Sequence, residues 1–202
     1  MDSYQSIKGE QRFNLEIKRS QFITTFAFVQ NETSAKSFVS RIKEEFPDAN
    51  HNCWAYIAGK PNDHRGVNQS DDGEPKGTAG KPMLNVLQHS GLGNIACVVT
   101  RYFGGIKLGA GGLVRAYSQS VSEFLPELER QTCYEHIALE FSVSYPMVGN
   151  VEYWLKTEAL TIEDQQYGDR VTFKIALPEP KLANTQQTLN ELCSGNILFS
   201  PR

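Results

Sequence analysis

The sequence has no CxxC pair, no run of 18 consecutive apolar residues and no strong excess of either charge, and each absence removes a class of protein. Its four cysteines, Cys53, Cys97, Cys133 and Cys193, are scattered, and three of them sit in apolar or strand-like surroundings. They read as free thiols of a reducing cytoplasm rather than as a disulfide frame. The glycosylation sequons at Asn31 and Asn68 therefore carry no weight. Without a long apolar run no membrane-spanning helix is expected. The N-terminus lacks the basic start and apolar stretch of a secretory signal, so the expected location is cytoplasmic. A formal net charge of −3 does not mark the whole chain as a polyanion binder. Also absent are the P-loop, the dinucleotide GxGxxG, the nucleophile-elbow GxSxG and the zinc-protease HExxH patterns. His51, Cys53 and His64 match no standard zinc spacing, so neither a metal nor a cofactor is expected.

What the chain does have is glycine, unevenly placed. Eleven of its sixteen glycines fall between Gly66 and Gly112. Glycine loses the most backbone freedom on folding, so such a concentration points to loops shaped for close approach. Charge is uneven as well. Residues 51–117 hold seven Lys/Arg against four acids, while residues 131–202 hold five against nine. A basic loop region on an acidic body favours local contact with phosphate.

The 202 residues, 40% of them hydrophobic, suit one large or two small domains. Phe13, Leu15 and Ile17 alternate with polar residues, residues 18–21 read as a turn, and Phe22, Thr24, Phe26 and Phe28 alternate again, which predicts an antiparallel pair. Ala35, Phe38, Val39, Ile42 and Phe46 recur at helical spacing after a cap at Thr33 or Ser34, and Pro47 stops the helix. Residues 52–58 predict a third strand and residues 59–81 a long polar loop, a length that is often functional. A short helix opens at Pro82 and ends near Gly91. Residues 95–99 are continuously apolar, as in a strand buried on both faces. The glycine loop at 104–112 follows, and Leu113, Tyr117, Val121, Phe124, Leu125 and Leu128 trace one face of the next helix. From residue 132 the pattern restarts as βαββαβ, the ferredoxin-like arrangement. The expected fold is α+β in two domains, 1–131 and 132–202.

Two clusters could carry chemistry. The first is basic. The helix after the glycine loop offers free amides and the positive end of its dipole, and Gly109, Gly111 and Gly112 would let a ligand approach them. The spacing brings Arg101, Lys107 and Arg115 to that helix start. Lys76 adds a further cation, and Tyr102 and Phe103 add stacking surface of the kind single-stranded nucleic acids use. The second cluster is acidic: Asp71, Asp72 and Glu74 could pin the loop through ion pairs with Arg101, Lys107 or Arg115, act as acid and base, or bind a divalent metal. Structural pairing is the favoured role.

The runs Asp71-Asp72-Gly73-Glu74-Pro75-Lys76-Gly77-Thr78-Ala79-Gly80-Lys81-Pro82 and Arg101-Tyr102-Phe103-Gly104-Gly105-Ile106-Lys107-Leu108-Gly109-Ala110-Gly111-Gly112-Leu113-Val114-Arg115-Ala116-Tyr117 resemble the signature of the IMPACT family, more closely its bacterial, YigZ-type members. His51-Asn52-Cys53-Trp54-Ala55-Tyr56 and residues 18–23 fit as well. The resemblance implies a first domain like domain 2 of ribosomal protein S5, a fold shared with elongation factor G and small-molecule kinases. It implies a second domain like the ferredoxin-like domains of elongation factor G. Eukaryotic members regulate translation by interfering with activation of an initiation-factor kinase. The expected function is thus a translation-linked regulator that binds RNA or the ribosome through the basic glycine-rich loop, with a translation-related protein as a further partner and no membrane. The alternatives are an enzyme acting on a phosphorylated or nucleotide-like small molecule, with Asp72 or Glu74 as acid, base or metal ligand, and a protein–protein interaction module. The family resemblance establishes no catalytic residues, and the balance favours a non-enzymatic protein.

Overall fold

The computed structural model describes residues 3–200. The outermost ends of the two expected domains, residues 1, 2, 201 and 202, lie outside the described residues. The chain divides into two compact units, one of residues Tyr4–Cys133 and one from Tyr134 onward together with Ser3.

The first unit is built on a five-stranded antiparallel sheet. Strands β2 (Glu10–Ile17) and β3 (Ser20–Phe28) form the expected hairpin, with Ile17 opposite Ser20. The turn itself is only Lys18 and Arg19, both with positive φ (48° and 65°). Helix α1 (Glu32–Glu45) follows, and its cap is Asn31 rather than Thr33 or Ser34. Asn31 Oδ1 accepts from the Ser34 amide at 2.9 Å and Ser34 Oγ accepts from the Asn31 amide at 3.1 Å. Ser34 thus completes a capping box from the third helical position. Strand β4 (His51–Ile57) pairs with β6 (Ile95–Tyr102), which also pairs with β3. Between them lie β5 (Val67–Ser70) and helix α2 (Gly80–His89), and α3 (Ala110–Ser122) follows β6. The sheet order is β2-β3-β6-β4-β5.

The long loop expected at 59–81 is therefore interrupted. It contains a one-turn 3₁₀ helix at His64–Gly66 and then β5, an edge strand paired with β4 from Val67↔Ile57 to Ser70↔Trp54. The helix that sequence spacing carried to Leu128 ends at Ser122, and Leu125–Glu127 form a separate 3₁₀ turn. A further two-stranded sheet was not expected: β1 (Ser3–Ile7) lies beside β7 (Arg130–Tyr134). Strand β7 straddles residues 131–132, where the domain boundary was placed.

Strand β6 has core on both sides, as its unbroken apolar run requires. On one face Cys97 and Val99 pack with Phe22, Phe26, Met83, Leu87, Leu113 and Tyr117, beneath α2 and α3. On the other Ala96 and Val98 pack with Ala35, Phe38, Val39 and Ile42 of α1. Each fully buried side chain of this size contributes about 1.5–3 kcal/mol, so β6 is the element the unit cannot lose.

The second unit runs β8 (His136–Val143), α4 (Val148–Thr157), β9 (Thr161–Tyr167), β10 (Val171–Pro178), α5 (Leu182–Leu192) and β11 (Ile197–Phe199). Its antiparallel order β11-β8-β10-β9 is the ferredoxin-like arrangement. Leu139, Phe141, Val143, Val171, Phe173, Ile175 and Leu177 form its core with Val151, Leu155 and Leu189 of the helices. The fold is α+β, with a first domain of the ribosomal protein S5 domain 2-like type and a ferredoxin-like second domain.

Candidate functional site

The acidic cluster comes first in the chain and sets the frame. Asp71 follows β5 directly. Its carboxylate accepts from the amides of Gly77 (2.7 Å), Ala79 (3.0 Å) and Gly80 (2.9 Å), so it fills the N-terminus of α2, which has no cap of its own. Burial works against the Asp71 charge, but the three amides outweigh it and hold the carboxyl below its ordinary value. Asp72, at φ 43°, takes Lys43 of α1 at 2.5 Å and the Asn52 amide at 2.7 Å. Its carbonyl takes His51 Nδ1 at 2.9 Å. A carbonyl only accepts, so the proton of that contact sits on Nδ1 and Nε2 faces away from it.

Glu74 is buried. Its Oε1 accepts from Arg101 at 2.5 Å and from the Tyr117 hydroxyl at 2.9 Å, and its Oε2 lies 3.9 Å from His51 Nε2. Both partners of the Glu74–Arg101 pair are nearly inaccessible, at 4% and 7% side-chain exposure. Next to it Cys53 Sγ lies 3.0 Å from the Asp71 carbonyl and 3.3 Å from Tyr117 Oη. Burial pushes both the Cys53 thiol and the Tyr117 phenol well up, so both stay protonated. Cys53 is thereby a structural thiol rather than a nucleophile.

The three acids are thus committed to Lys43, Arg101 and the backbone. None reaches Lys107 or Arg115, the other two partners expected for them. The expected gathering of three cations is also corrected. Arg101 points inward, with its Cζ 5.6 Å from the Phe22 ring and 5.7 Å from the Phe103 ring, and its charge is matched by Glu74. Lys107 is exposed and lines a cleft, whereas Arg115 is exposed one turn into α3 and does not line it. Lys76, Lys81, Lys107 and Arg115 are all exposed and have no ion pair among the described residues.

Tyr102 does not join this site. Successive residues of a strand point to opposite faces, so Tyr102 lies across the sheet from Arg101, where its hydroxyl donates to Asp48 at 2.9 Å. The aromatic at the site is Phe103, 45% exposed, with Ile106 at 41% nearby in the same loop. The alternation of β6 was the signal that separates the two aromatics. It was missed because the strand runs through Tyr102, three residues past the apolar run.

The cleft, about 450 Å³, is lined by Asn50, His51, Glu74, Pro75, Arg101 and Phe103, and by residues 107–110 and Leu113. One wall is the start of α3. Gly109 caps that helix at φ 72°, ψ 164°, backbone that only glycine adopts readily, and no side chain caps it. The amides of Ala110, Gly111 and Gly112 are therefore left for solvent or a ligand. Gly111 is exposed, and a Cβ placed there would meet nothing within 4 Å. Gly104 serves the fold instead. A Cβ there would come within 1.9 Å of the Arg19 carbonyl, so the missing side chain lets the loop cross the hairpin. Among the described residues no three His, Cys, Asp or Glu side chains group closely enough to hold a metal ion, and the His64 side chain lies outside them. All four cysteines are free thiols, and no described helix is long and apolar enough to cross a membrane.

Comparison with known proteins identifies the class. The Impact N-terminal domain matches residues 18–125, and a domain of unknown function, DUF1949, matches residues 141–196. The chain is 41% identical to the IMPACT family member YigZ of Escherichia coli, over 90% of this chain and 89% of that one. It is 38% identical to an IMPACT family member of Haemophilus influenzae, over 98% and 97% of the two chains. Identity to the IMPACT family member YvyE of Bacillus subtilis is also 38%, over 96% and 89%. A solved structure titled "Crystal structure of an hypothetical protein" superposes with a TM-score of 0.87 at 38% identity, covering 100% of this chain and 98% of that one. The chain belongs to the IMPACT family.

Proposed function

We propose that this chain is a translation-linked regulatory protein that binds RNA or the ribosome through the face around the N-terminus of α3. Membership of the IMPACT family supports the translation-associated part. The observation that carries the binding part is a set of unmatched charges: Lys107 and Arg115, with Lys76 and Lys81 on the preceding loop, are exposed without an acidic partner among the described residues. The nearby acids are tied elsewhere. An uncapped helix start adds its own positive potential, and phosphate is the natural anion for it. Exposed Phe103 and Ile106 supply the apolar contact that bases require. The free thiols fit a cytoplasmic setting.

The small-molecule enzyme is the second reading, and the cleft is the feature in its favour. Its acid–base candidates are less apt, because Asp72 and Glu74 are each held by two donors. The test is RNA and ribosome binding as a function of salt. On single strands, each phosphate contact removed should lower the slope of log affinity against log salt by about 0.7. Lys107→Ala and Arg115→Ala should each do so without a change in melting temperature. Absence of binding at low salt, or binding that neither variant alters, would sink the proposal.

A further inference from the structure

The cleft beside α3 has features that a surface for duplex phosphates does not need. It is concave and lies within the size range of small-ligand pockets. Its apolar wall is Pro75, Phe103, Leu108 and Leu113. Its polar groups are specific in direction. Asn50 Oδ1 accepts from the Phe103 amide at 2.7 Å, which leaves the Asn50 amide group free to donate. His51 donates from Nδ1 to Asp72, which leaves Nε2 at the cleft. Arg101 lines the cleft with more than nine-tenths of its side chain buried and its charge matched by Glu74. At the mouth stand Lys107 and the uncapped amides after Gly109.

We infer that this cleft takes one unpaired nucleotide of the bound RNA. The base lies against Phe103 and presents its edge to Asn50 and His51, and its phosphate sits at Lys107 and the α3 amides. The inference rests on the RNA-binding proposal and adds to it a preference for single strands. In a duplex the base edge is already paired and stacked, so it cannot enter.

The test uses the full chain and one labelled RNA sequence, as a single strand and as a duplex, followed by anisotropy at fixed salt. The single strand should bind at least about tenfold more tightly, the scale of one base–aromatic stack. Nucleoside monophosphates should compete with it, and inorganic phosphate at the same concentration should not. Phe103→Ala should remove the single-strand preference and leave duplex binding in place, while Phe103→Trp should keep it. Phe103 is 45% exposed with its ring over Arg101, so Phe103→Ala should lower melting only slightly and Phe103→Trp should leave it unchanged. Equal binding of both forms, unmoved by Phe103→Ala and untouched by nucleotides, overturns the cleft and leaves the surface cations as the RNA site. Failure of both forms to bind overturns the RNA proposal and this inference together.

Discussion

At Asp71 a single carboxylate replaces a helix cap and two turn bonds. Changing it to alanine strands the amides of Gly77, Ala79 and Gly80. Each unmet amide costs about 1–3 kcal/mol when it stays dry. With part of that recovered by water, Asp71→Ala should destabilise the first unit by about 3 kcal/mol in urea unfolding. The same contacts give a pH dependence. The folded pKa of Asp71 lies below its unfolded value, so the native state holds fewer protons and the contribution is fully present at neutral pH. It should fade as pH drops below about 4, and Asp71→Ala should flatten that part of the acid-unfolding curve. A variant curve with the slope of the parent would refute the assignment.

Gly111 separates folding from binding. It occupies the second position of α3 with open space around it, so alanine should fit and raise helix stability by up to about 1 kcal/mol. If a phosphate closes on the α3 amides, the added methyl should weaken RNA binding while the protein melts higher. A melting gain with unchanged affinity would place the phosphate elsewhere. The Glu74–Arg101 pair behaves in the opposite way. Removing one partner leaves the other buried and unmatched, at about 3–5 kcal/mol, whereas Glu74→Leu with Arg101→Met should be more stable than either single change. Chemical unfolding of the three variants decides this.

Among the elements, legibility tracked burial. Strand β10 and helices α1 and α3 bury one clear face each, and their periodicities showed in the sequence. Strand β5 did not, because Val67-Asn68-Gln69-Ser70 has one apolar residue and no fully buried position. Only pairing with β4 makes it a strand, and pairing leaves no mark on composition. The same holds for β1, which is fixed by its partner β7 from the far end of the unit. At the candidate site, residue types and loop positions were legible, but the direction of Arg101 was not. Its inward turn depends on Glu74, which lies 27 residues away. The β2–β3 turn offers an element-scale prediction. Lys18 and Arg19 both hold positive φ, the geometry of a type I′ turn that Asn-Gly prefers. Exchanging the pair for Asn-Gly should relieve about 1 kcal/mol of backbone cost. It should raise the melting temperature by about 2–4 °C, and a fall would mean that one of the two side chains contributes more than its backbone costs.

For the whole molecule the decisive quantity is how charge divides between the units. The first unit holds two cores of its own, on either side of its sheet, and every residue of the cleft and of the basic loop. The second holds nine acids against five Lys/Arg over residues 131–202, so it offers RNA little attraction. Residues 1–134, which keep β1 and β7 together, should therefore fold alone and carry the whole of the RNA-binding activity. Above about 0.15 M salt, where the field of the acidic unit is screened, their salt slope should equal that of the full chain, because the slope then counts phosphate contacts and those lie in the first unit; below it their slope should be the steeper. Their affinity at low salt should be the higher of the two, since the acidic unit no longer repels the ligand. That gap should close at about 0.15 M salt, where screening acts within about 8 Å. Titration of both forms across a salt series measures slope and gap together. A shallower slope for the shorter form would show that the ferredoxin-like unit supplies phosphate contacts despite its charge. The RNA face would then have to extend beyond the α3 loop.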